Sequence, residues 1–478
     1  MSDKNGDSDA LRTAYRNFAA REPEDAACKE FRVKKMSVPA AERIIRVYKK
    51  APRFQKMLLM SQGGCGCSTV LQQITENREQ RKRRHILFFS LGDEINLGDA
   101  EAPDILFGIY SRILRSMPAF DFDPPLRDFR ELTEPLLTES GIRERDMDMT
   151  ARVSFRFRTD HGFRKKLRAR LKSGEDILRR SLEKICRQFS RTTRDCFLLS
   201  DTVFDRLREE EVSDNILLKL EDMKDREYKS EIRFLKSLEK RIGEVQLLHY
   251  KERILKKAWT EEAVDLLILA DDTDKLSPRC AEKIFLEESA YLAEPDAEIL
   301  YTAPLHLMYS PLFSHIKKNF VIETLRPLPI SHADGNPDIR AVALLKKMIE
   351  KRMPNIFSAE TADYLIRRSG GVAGDLTSLI RACCRIALSE KSREIDRRIA
   401  EIAVKDAADH CMRFFDAEEY GDTVNRIIRD KNSKGIGSKT LGWLLKYAFI
   451  LEYRSPDDSS TAMQTDAHPR LKEALNRI

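Results

Sequence analysis

One short stretch, SQGGCGCSTV at residues 61–70, constrains the fold of this chain more than any other. It follows the apolar run Met57–Met60, and apolar residues continue after it at helical spacing, at Val70, Leu71 and Ile74. A second apolar run, HILFFSL, comes next. Apolar runs joined by a glycine turn and an amphipathic stretch predict a strand, loop, helix, strand unit with buried strands.

The glycine stretch has most of the spacing of a phosphate-binding loop but lacks its lysine. The pattern G-x-x-x-x-G-K-[ST] requires a glycine and a lysine where this chain has Ser61 and Cys67. Gly63, Gly64 and Gly66 would still let backbone amides approach a phosphate at the start of a helix. Taken alone, the stretch fits a tight strand-to-helix turn equally well.

Hydroxyl and acidic residues occupy the positions where such a loop would hold a metal ion. Ser68 stands at the Mg²⁺-binding hydroxyl and Thr69 follows it, while the apolar run Val264–Ala270 ends in Asp271 and Asp272. One carboxylate there could hold Mg²⁺ and the other could orient or deprotonate an attacking water. The alternative for these acids is a capped strand end with solvated carboxylates.

The remaining apolar pattern predicts an α/β fold followed by helices. EILYTAPLHL and NFVIETLRPLPI are two further buried strands separated by helices, which together with the earlier runs predict a parallel sheet. The last third is mainly helical. At its end, YGDTVNRIIRD, SKTLGWLLKY, FILEYR and TAMQTDAHPRLKEAL predict two helices, a β-ribbon and a closing helix, the order of a winged helix.

Composition narrows the class of protein. No stretch reaches the roughly eighteen consecutive apolar residues of a membrane helix, and the N-terminus resembles neither a signal nor a transit peptide, so we expect a cytoplasmic protein without membrane contact. Nine cysteines lack zinc-site spacing and are expected to be reduced thiols. A net charge of +7, from 85 basic and 78 acidic side chains, barely argues for nucleic acid.

The succession of motifs resembles a known family. The path from LLMSQGGCGCSTVL through HILFFSLGDEINL, LLILADDTDKL, EILYTAPLHLMYSP and LIRRSGGVAGDLTSLIR to ILEYR and DAHPRLKEAL is similar to bacterial P-loop ATPases of the AAA+/STAND kind, relatives of replication-initiator ATPases. The resemblance covers most of the chain outside 151–258. It implies a P-loop NTPase (AAA+-type) parallel sheet core with a helical insertion, a helical lid and a C-terminal winged-helix domain. Family members are often regulatory switches, several of them in anti-phage defence systems.

The resemblance divides the chain into four parts, with one insertion. A helical leader at 1–50 precedes the core at 51–330, which contains a charged helical insertion at 151–258. A lid follows at 331–412 and a winged-helix domain at 413–478. The basic opening of the insertion, FRFRTDHGFRKKLRARLK, could meet phosphates, but acidic runs such as REEE follow, so we favour a solvated helix face.

The family's site is carried over to this sequence position by position. The nucleotide-binding positions are Gly63, Gly64, Gly66, Cys67, Ser68, Thr69 and Thr302, the last near the sensor of the γ-phosphate. Ser68 and Asp271 fall at the Mg²⁺ ligands, and Asp272 falls at the catalytic base. Gly374 stands where relatives carry a lid arginine, so this chain lacks both that cation and the loop lysine.

These losses affect hydrolysis more than binding. A charged hydrogen bond to phosphate contributes about 1.5 to 3 kcal/mol, so binding should weaken roughly tenfold to a hundredfold or more. Phosphoryl transfer depends mainly on positioning and charge neutralisation, and both cations are absent. We expect ATP or ADP with Mg²⁺ to be bound weakly or not at all, and hydrolysis to be impaired or absent. Lys275 and Arg279 are candidates for a substitute cation.

Cys67 supports two hypotheses. A helix N-terminus lowers a thiol pKa, which would suit a redox switch. We favour the simpler interpretation, a small neutral replacement for lysine.

The sequence is compatible with more than one kind of partner and activity. In SKTLGWLLKYAF only Lys439, Trp443 and Lys446 remain to contact DNA, so we favour a packing or protein-contact role for that helix. A protein partner is expected at the insertion or the winged helix, with a homo-oligomer or DNA as further classes. The alternatives to a regulatory or scaffolding protein are an active ATP-hydrolysing switch or motor and a DNA-binding module on an inactive ATPase fold.

Overall fold

A computed structural model describes most of the chain outside one long central gap. The described residues are 4–19, 31, 33–50, 55–77, 80, 84–116, 129–130, 133–137, 149–173, 180–183, 265–295, 297–331, 336–354, 357–392, 394–454 and 463–477. Most of the predicted helical insertion, residues 184–258, and also Val264, lie outside these residues. Within the described residues, no helix is both long and apolar enough to span a lipid bilayer.

The described strands confirm the predicted parallel sheet. They are β1 (Lys56–Ser61), β2 (Arg84–Ser90), β3 (Asp265–Asp271), β4 (Glu298–Pro304) and β5 (Val321–Leu325). Their order is β2-β3-β4-β1-β5, and every neighbouring pair is parallel. The carboxyl ends of all these strands therefore lie at one edge, where parallel α/β sheets bind their ligands.

Helices make up most of the rest of the described chain. In chain order they are α1 (Lys4–Ala19), α2 (Lys34–Lys50), α3 (Cys67–Thr75), α4 (Ala102–Ser116), α5 (Met149–Thr159), α6 (His161–Ser173), α7 (Pro278–Glu282), α8 (Ser289–Ala293), α9 (Phe313–Asn319), α10 (Ile339–Arg352), α11 (Ala359–Arg368), α12 (Ala373–Ser389), α13 (Arg397–Met412), α14 (Ala417–Asp430), α15 (Ser438–Lys446) and α16 (Pro469–Leu475).

Helices cover both faces of the sheet, so the strands are buried and almost continuously apolar. Helices α2 and α3 pack on one face, against alternate β1 residues such as Leu59. Helices α4, α5 and α6 cover the other face, where Leu58 and Phe89 join their side chains. The start of the predicted insertion is thus part of the core, because Phe157 and Leu167 lie in that cluster.

The basic opening of the insertion is partly internal, unlike the solvated face we favoured. Arg164 is buried and donates to Asp99 at 3.0 Å and to the carbonyl of Phe157 at 2.9 Å. Arg168 pairs with Asp104, whose carboxylate is also buried. A buried guanidinium requires such partners because an unpaired internal charge is costly. These two arginines stabilise the core instead of facing solvent.

The predicted lid is a helical group that includes the start of the chain. Helices α10 to α13 share one apolar cluster, to which α1 contributes Leu11 and Phe18. The leader is therefore divided, since α1 packs against α12 whereas α2 packs against α3 and β5. The domain boundaries drawn from the sequence remain a prediction.

The C-terminal region has the predicted winged-helix order. Helices α14 and α15 are followed by β6 (Ile450–Arg454), which pairs antiparallel with β7 (Met463–Ala467), and by α16. Helix α15 faces the core: Lys446 pairs with Glu282 at 3.1 Å. Trp443 stacks on Tyr420 at 4.1 Å between ring centroids. Of the three side chains considered for DNA contact, Lys439 is the one left exposed.

Candidate functional site

The glycine stretch forms the junction between β1 and α3. Gly64 and Gly66 adopt left-handed backbone conformations, with φ of +83° and +96°, which favour glycine. The first amides of a helix have no partner within it, so the start of α3 presents free N–H groups beside this turn. A Cβ added at Gly63 would meet nothing within 4 Å, so the turn is open on that side. This geometry can cradle an anion.

The two residues predicted to bind Mg²⁺, Ser68 and Asp271, meet at the same edge of the sheet. The Ser68 hydroxyl in the first turn of α3 lies close enough to the Asp271 carboxylate at the end of β3 to oppose, as a donor, the rise in its pKa. Asp271 is 2% exposed. Burial raises the pKa of Asp271 to about 6, and repulsion from Asp272 and Asp274 adds to the effect. The predicted neighbours Ser68 and Asp271 therefore lie close together.

A third acid, missed in the sequence, joins the other two. Single carboxylate oxygens of Asp271, Asp272 and Asp274 all lie within 4.8 Å of one another. Oxygen ligands of this type fit Mg²⁺. Burial raises the pKa of Asp274, and repulsion from Asp272 adds to the rise. A divalent cation would relieve this repulsion. The signal was present in the letters ADDTDKL, but only the first two acids follow the strand directly.

Asp272, at the position of a catalytic base, is held by two partners. The Ser90 hydroxyl at the end of β2 donates to one carboxylate oxygen, and the Lys275 ammonium pairs with the other. The residue also has a left-handed φ of 69°, and its N–H donates to Asp271 Oδ1 at 2.8 Å. Both oxygens are engaged, so the carboxylate is restrained. Of the two candidate cations, Lys275 reaches this cluster, whereas Arg279 lies exposed on α7.

Thr302 ties the end of β4 to the same acids. Its hydroxyl donates to Asp274 Oδ1 at 3.0 Å and accepts the Asp274 N–H at 3.2 Å. The Thr273 hydroxyl also lies 3.1 Å from it. Thr302 is fully buried, so its orientation is set by these bonds.

The Cys67 side chain points inward, towards Ser61, the residue at the loop pattern's first glycine position. Its Sγ donates to Ser61 Oγ at 3.0 Å, and the side chain is buried. Burial raises the pKa of the Cys67 thiol well above its usual value, and the charge of Asp274 adds to the shift. Burial and the raised pKa favour the simpler interpretation, a small neutral replacement for lysine, over a low-pKa redox switch.

Helix α12 of the lid begins directly on the glycine turn. The N–H of Gly374, where the resemblance expected an arginine, donates to the Gly64 carbonyl at 2.9 Å. A Cβ at Gly374 would lie 2.7 Å from Gly64 Cα, closer than such atoms can approach. Backbone of the lid thus occupies the space beside Gly64.

The C-terminal ribbon also reaches the turn, which the sequence did not indicate. Gln62 Nε2 donates to the Ile450 carbonyl at 2.9 Å, and Gln62 Oε1 accepts the Glu452 N–H at 3.1 Å. On the lid side, the Tyr453 hydroxyl donates to the Gly370 carbonyl at 2.9 Å. The loop, the lid and β6 therefore meet at one place.

Comparisons with known proteins add little to this description. No protein-family model matches the chain, and no curated protein matches it either. Solved structures similar to it include Cdc6p from Pyrobaculum aerophilum, with 9% identity, 96% of each chain covered and a TM-score of 0.35. The ORC2 protein of Aeropyrum pernix, solved in ADPNP–ADP complexes, has 11% identity over 97% of this chain and 96% of that one, with a TM-score of 0.36.

A third similar structure is Drosophila ORC bound to DNA, with 10% identity over 98% of this chain and 91% of that one and a TM-score of 0.34. The fold is therefore assigned from the structure itself. The assignment rests on the strand order, the loop between β1 and α3, and the acids that follow β3. The fold is that of an AAA+-type P-loop NTPase core with a helical lid and a C-terminal winged helix.

Proposed function

We propose that this protein is a nucleotide-binding regulatory or scaffolding protein that holds ATP or ADP with Mg²⁺ and hydrolyses ATP slowly or not at all. The proximity of Ser68 to Asp271, within the cluster of three acids, carries the proposal. It brings the first turn of the helix after the glycine loop beside the acid after β3, which is the pairing that a Mg²⁺-nucleotide site requires.

In this proposal the phosphates lie on the glycine turn. Backbone amides between Gly63 and Thr69, apart from that of Cys65, which donates to the Gln62 carbonyl, bind phosphate oxygens. Thr302 lies near the terminal phosphate. Ser68 and Asp271 would hold Mg²⁺, with Asp274 as an additional acid. When bound, the ion neutralises phosphate charge.

Slow hydrolysis follows from the charges that are missing and from the acid that is restrained. Cys67 is a neutral, buried thiol in place of a lysine, and Gly374 has no side chain in place of an arginine, while its N–H is bonded to the Gly64 carbonyl. Asp272 is engaged by Ser90 and Lys275, so it is poorly placed to orient a water. Without those cations, charge developing on the terminal phosphate would be little stabilised.

A regulatory role is supported by the contacts around the loop. Because Gln62 and Gly64 contact β6 and the lid, occupancy of the loop would affect how those parts are packed. We propose that a protein partner, or a second copy of the chain, senses this arrangement through the insertion or the winged helix. Membership of an anti-phage system and STAND-type switching are implied by the family resemblance alone, and no described residue bears on them.

Calorimetric titration with ATP and ADP, each with Mg²⁺ and with EDTA, tests the proposal. We expect Mg²⁺-dependent binding that is lost in Asp271→Asn and retained in Asp409→Asn, a matched change at an exposed acid paired with Arg477. If neither ATP nor ADP binds, the proposal is overturned.

Two further assays separate the alternatives. Mg²⁺-dependent turnover abolished by Asp272→Asn would instead indicate an active ATPase. Steeply salt-dependent DNA affinity that falls in Lys439→Ala would indicate a DNA-binding module.

A further inference from the structure

An arginine lies beside the loop on the neighbouring strand. Strand β5 is parallel to β1, with Leu325 opposite Ser61 in the last pair of the register, and Arg326 and Gln62 are the residues that follow that pair. This arginine is at the carboxyl edge of the sheet, where the loop and the acids lie. Arg326 is also close enough to Cys65 for its charge to oppose the rise in thiol pKa that burial causes.

This arginine is occupied by an acid from the C-terminal ribbon. Arg326 Nε lies 3.1 Å from Glu452 Oε2, and the two side chains are only 13% and 3% exposed. Glu452 also accepts a hydrogen bond from the Tyr309 hydroxyl. The N–H of Glu452 is the group that donates to Gln62, so strand β6 brings the carboxylate to the edge of the loop.

The pairing suggests a competition between two anions. A guanidinium binds a carboxylate and a phosphate with the same planar fork of donors. A buried charge is costly without a partner, so Arg326 must be paired with one or the other. The loop itself has no lysine, since Cys67 stands at that position and its thiol donates to Ser61.

We propose that Arg326 is the cationic phosphate ligand of this loop, in place of the missing lysine, and that Glu452 competes with nucleotide phosphate for it. The inference rests on the proposed function, since it assigns a residue to the same site. Its consequence is that phosphate binding and the docking of β6 oppose each other. Opening of the ribbon would then release the cation that completes the site.

Calorimetry with inorganic tripolyphosphate tests the competition without involving the base or sugar. Glu452→Gln removes the charge but keeps the shape, and its amide oxygen can still accept from Tyr309. We expect Glu452→Gln to bind tripolyphosphate about tenfold more tightly than the wild type, and Arg326→Gln about tenfold more weakly. The double variant should bind like Arg326→Gln, whereas Arg326→Lys should retain part of the affinity.

Two control variants separate charge competition from general loosening. Glu298→Gln removes the acid of another buried pair, with Arg84 at 2.5 Å, at the opposite edge of the sheet. Glu473→Gln weakens a different contact between the lid and the C-terminal domain, with Arg368 at 2.9 Å. Neither should raise tripolyphosphate affinity. Circular dichroism establishes that each variant is folded.

The outcomes distinguish this inference from the proposed function. Tripolyphosphate affinity that does not rise in Glu452→Gln, or that stays high in the double variant, overturns the inference. If Glu452→Gln does not fold, Arg326→Gln with wild-type affinity overturns it instead. Failure of the wild type to bind either nucleotide, with the expected tripolyphosphate differences intact, would remove the proposed function and leave the assignment of Arg326 standing.

Discussion

The N–H of Gly374 donates a hydrogen bond of 2.9 Å to the carbonyl of Gly64, so the lid rests on the glycine loop through backbone alone. The resemblance expects an arginine at 374, which would reach a phosphate from the lid. Here the two backbones are so close that no side chain fits between them. The contact replaces a cation with a direct connection between lid and loop.

Replacing Gly374 with alanine should destabilise the protein, since its Cβ would lie 2.7 Å from Gly64 Cα. We expect the free energy of unfolding to fall by about 1 to 3 kcal/mol, the usual cost of overpacking. Gly421→Ala in α14 is the matched control, because a Cβ there meets nothing within 4 Å. It should stabilise the helix by about 0.5 to 1 kcal/mol. If urea denaturation gives the same change in unfolding free energy for Gly374→Ala and Gly421→Ala, the close contact at Gly374 is contradicted.

Ser68→Ala should weaken nucleotide binding only when Mg²⁺ is present, because the lost hydroxyl lies close to Asp271. We expect a loss of about tenfold in Mg²⁺-ADP affinity, measured by calorimetry, and little change in EDTA. Thr75→Ala, at the other end of the same helix, removes a hydroxyl bonded to Gln72 and should leave both affinities unchanged. A similar loss in EDTA would mean that Ser68 serves the phosphate and not the metal.

Cys67→Lys should strengthen nucleotide binding without restoring turnover. The new ammonium would lie near the carboxylates of Asp271 and Asp274, which already influence the thiol. We expect Mg²⁺-ATP affinity to rise about tenfold or more, with Cys67→Ala unchanged. Hydrolysis should stay low because Asp272 remains paired. Rapid phosphate release by the lysine variant would indicate that the loop lysine alone was missing.

Gln62→Ala should loosen the C-terminal ribbon. It leaves the Ile450 carbonyl and the Glu452 N–H without their buried partner, which costs about 1 to 3 kcal/mol of unfolding free energy. Gln55→Ala is the control, since that amide bonds only locally, to the carbonyl of Lys56, and should cost about 0.5 kcal/mol or less. If the denaturation midpoints of Gln62→Ala and Gln55→Ala shift by the same amount, the Gln62 hydrogen bonds do not contribute to stability.

Stability should decrease in acid through His306, which lies between the core and α15. Burial and, to a smaller extent, the Lys446 charge lower the pKa of His306 to about 4, against the opposing effect of Glu282. In the unfolded chain this histidine has a pKa near 6.5, so it takes up a proton there before it does in the folded protein. Its contribution to the free energy of unfolding is therefore fully present above about pH 6.5 and is lost as the pH falls towards 4. The loss is about 3 kcal/mol at most.

Thermal unfolding between pH 4 and 8 measures this loss. His306→Gln should flatten the profile, whereas His410→Gln, at an exposed histidine, should not. An unchanged slope in His306→Gln would contradict the assignment.

The sheet and the loop could be predicted because their signals are local. Apolar runs and glycine spacing mark β1, the turn and α3, and the acids after β3 had to approach Ser68 once the strands were parallel. The roles assigned to these residues remain predictions. Asp274 was missed because it stands beyond the strand, and its contact with Thr302 depends on how the two strand ends meet.

Periodicity and chain order are enough to specify an α/β core with a glycine loop facing acids. The chemistry around the loop depends instead on how the chain folds in three dimensions. The pKa of Cys67 depends on burial, and the restraint on Asp272 depends on Ser90 from another strand. Gln62 and Ile450, 388 residues apart, meet only because the C-terminal ribbon folds back onto the sheet edge. Solvent exclusion and long-range contacts of this kind leave no local pattern in a chain.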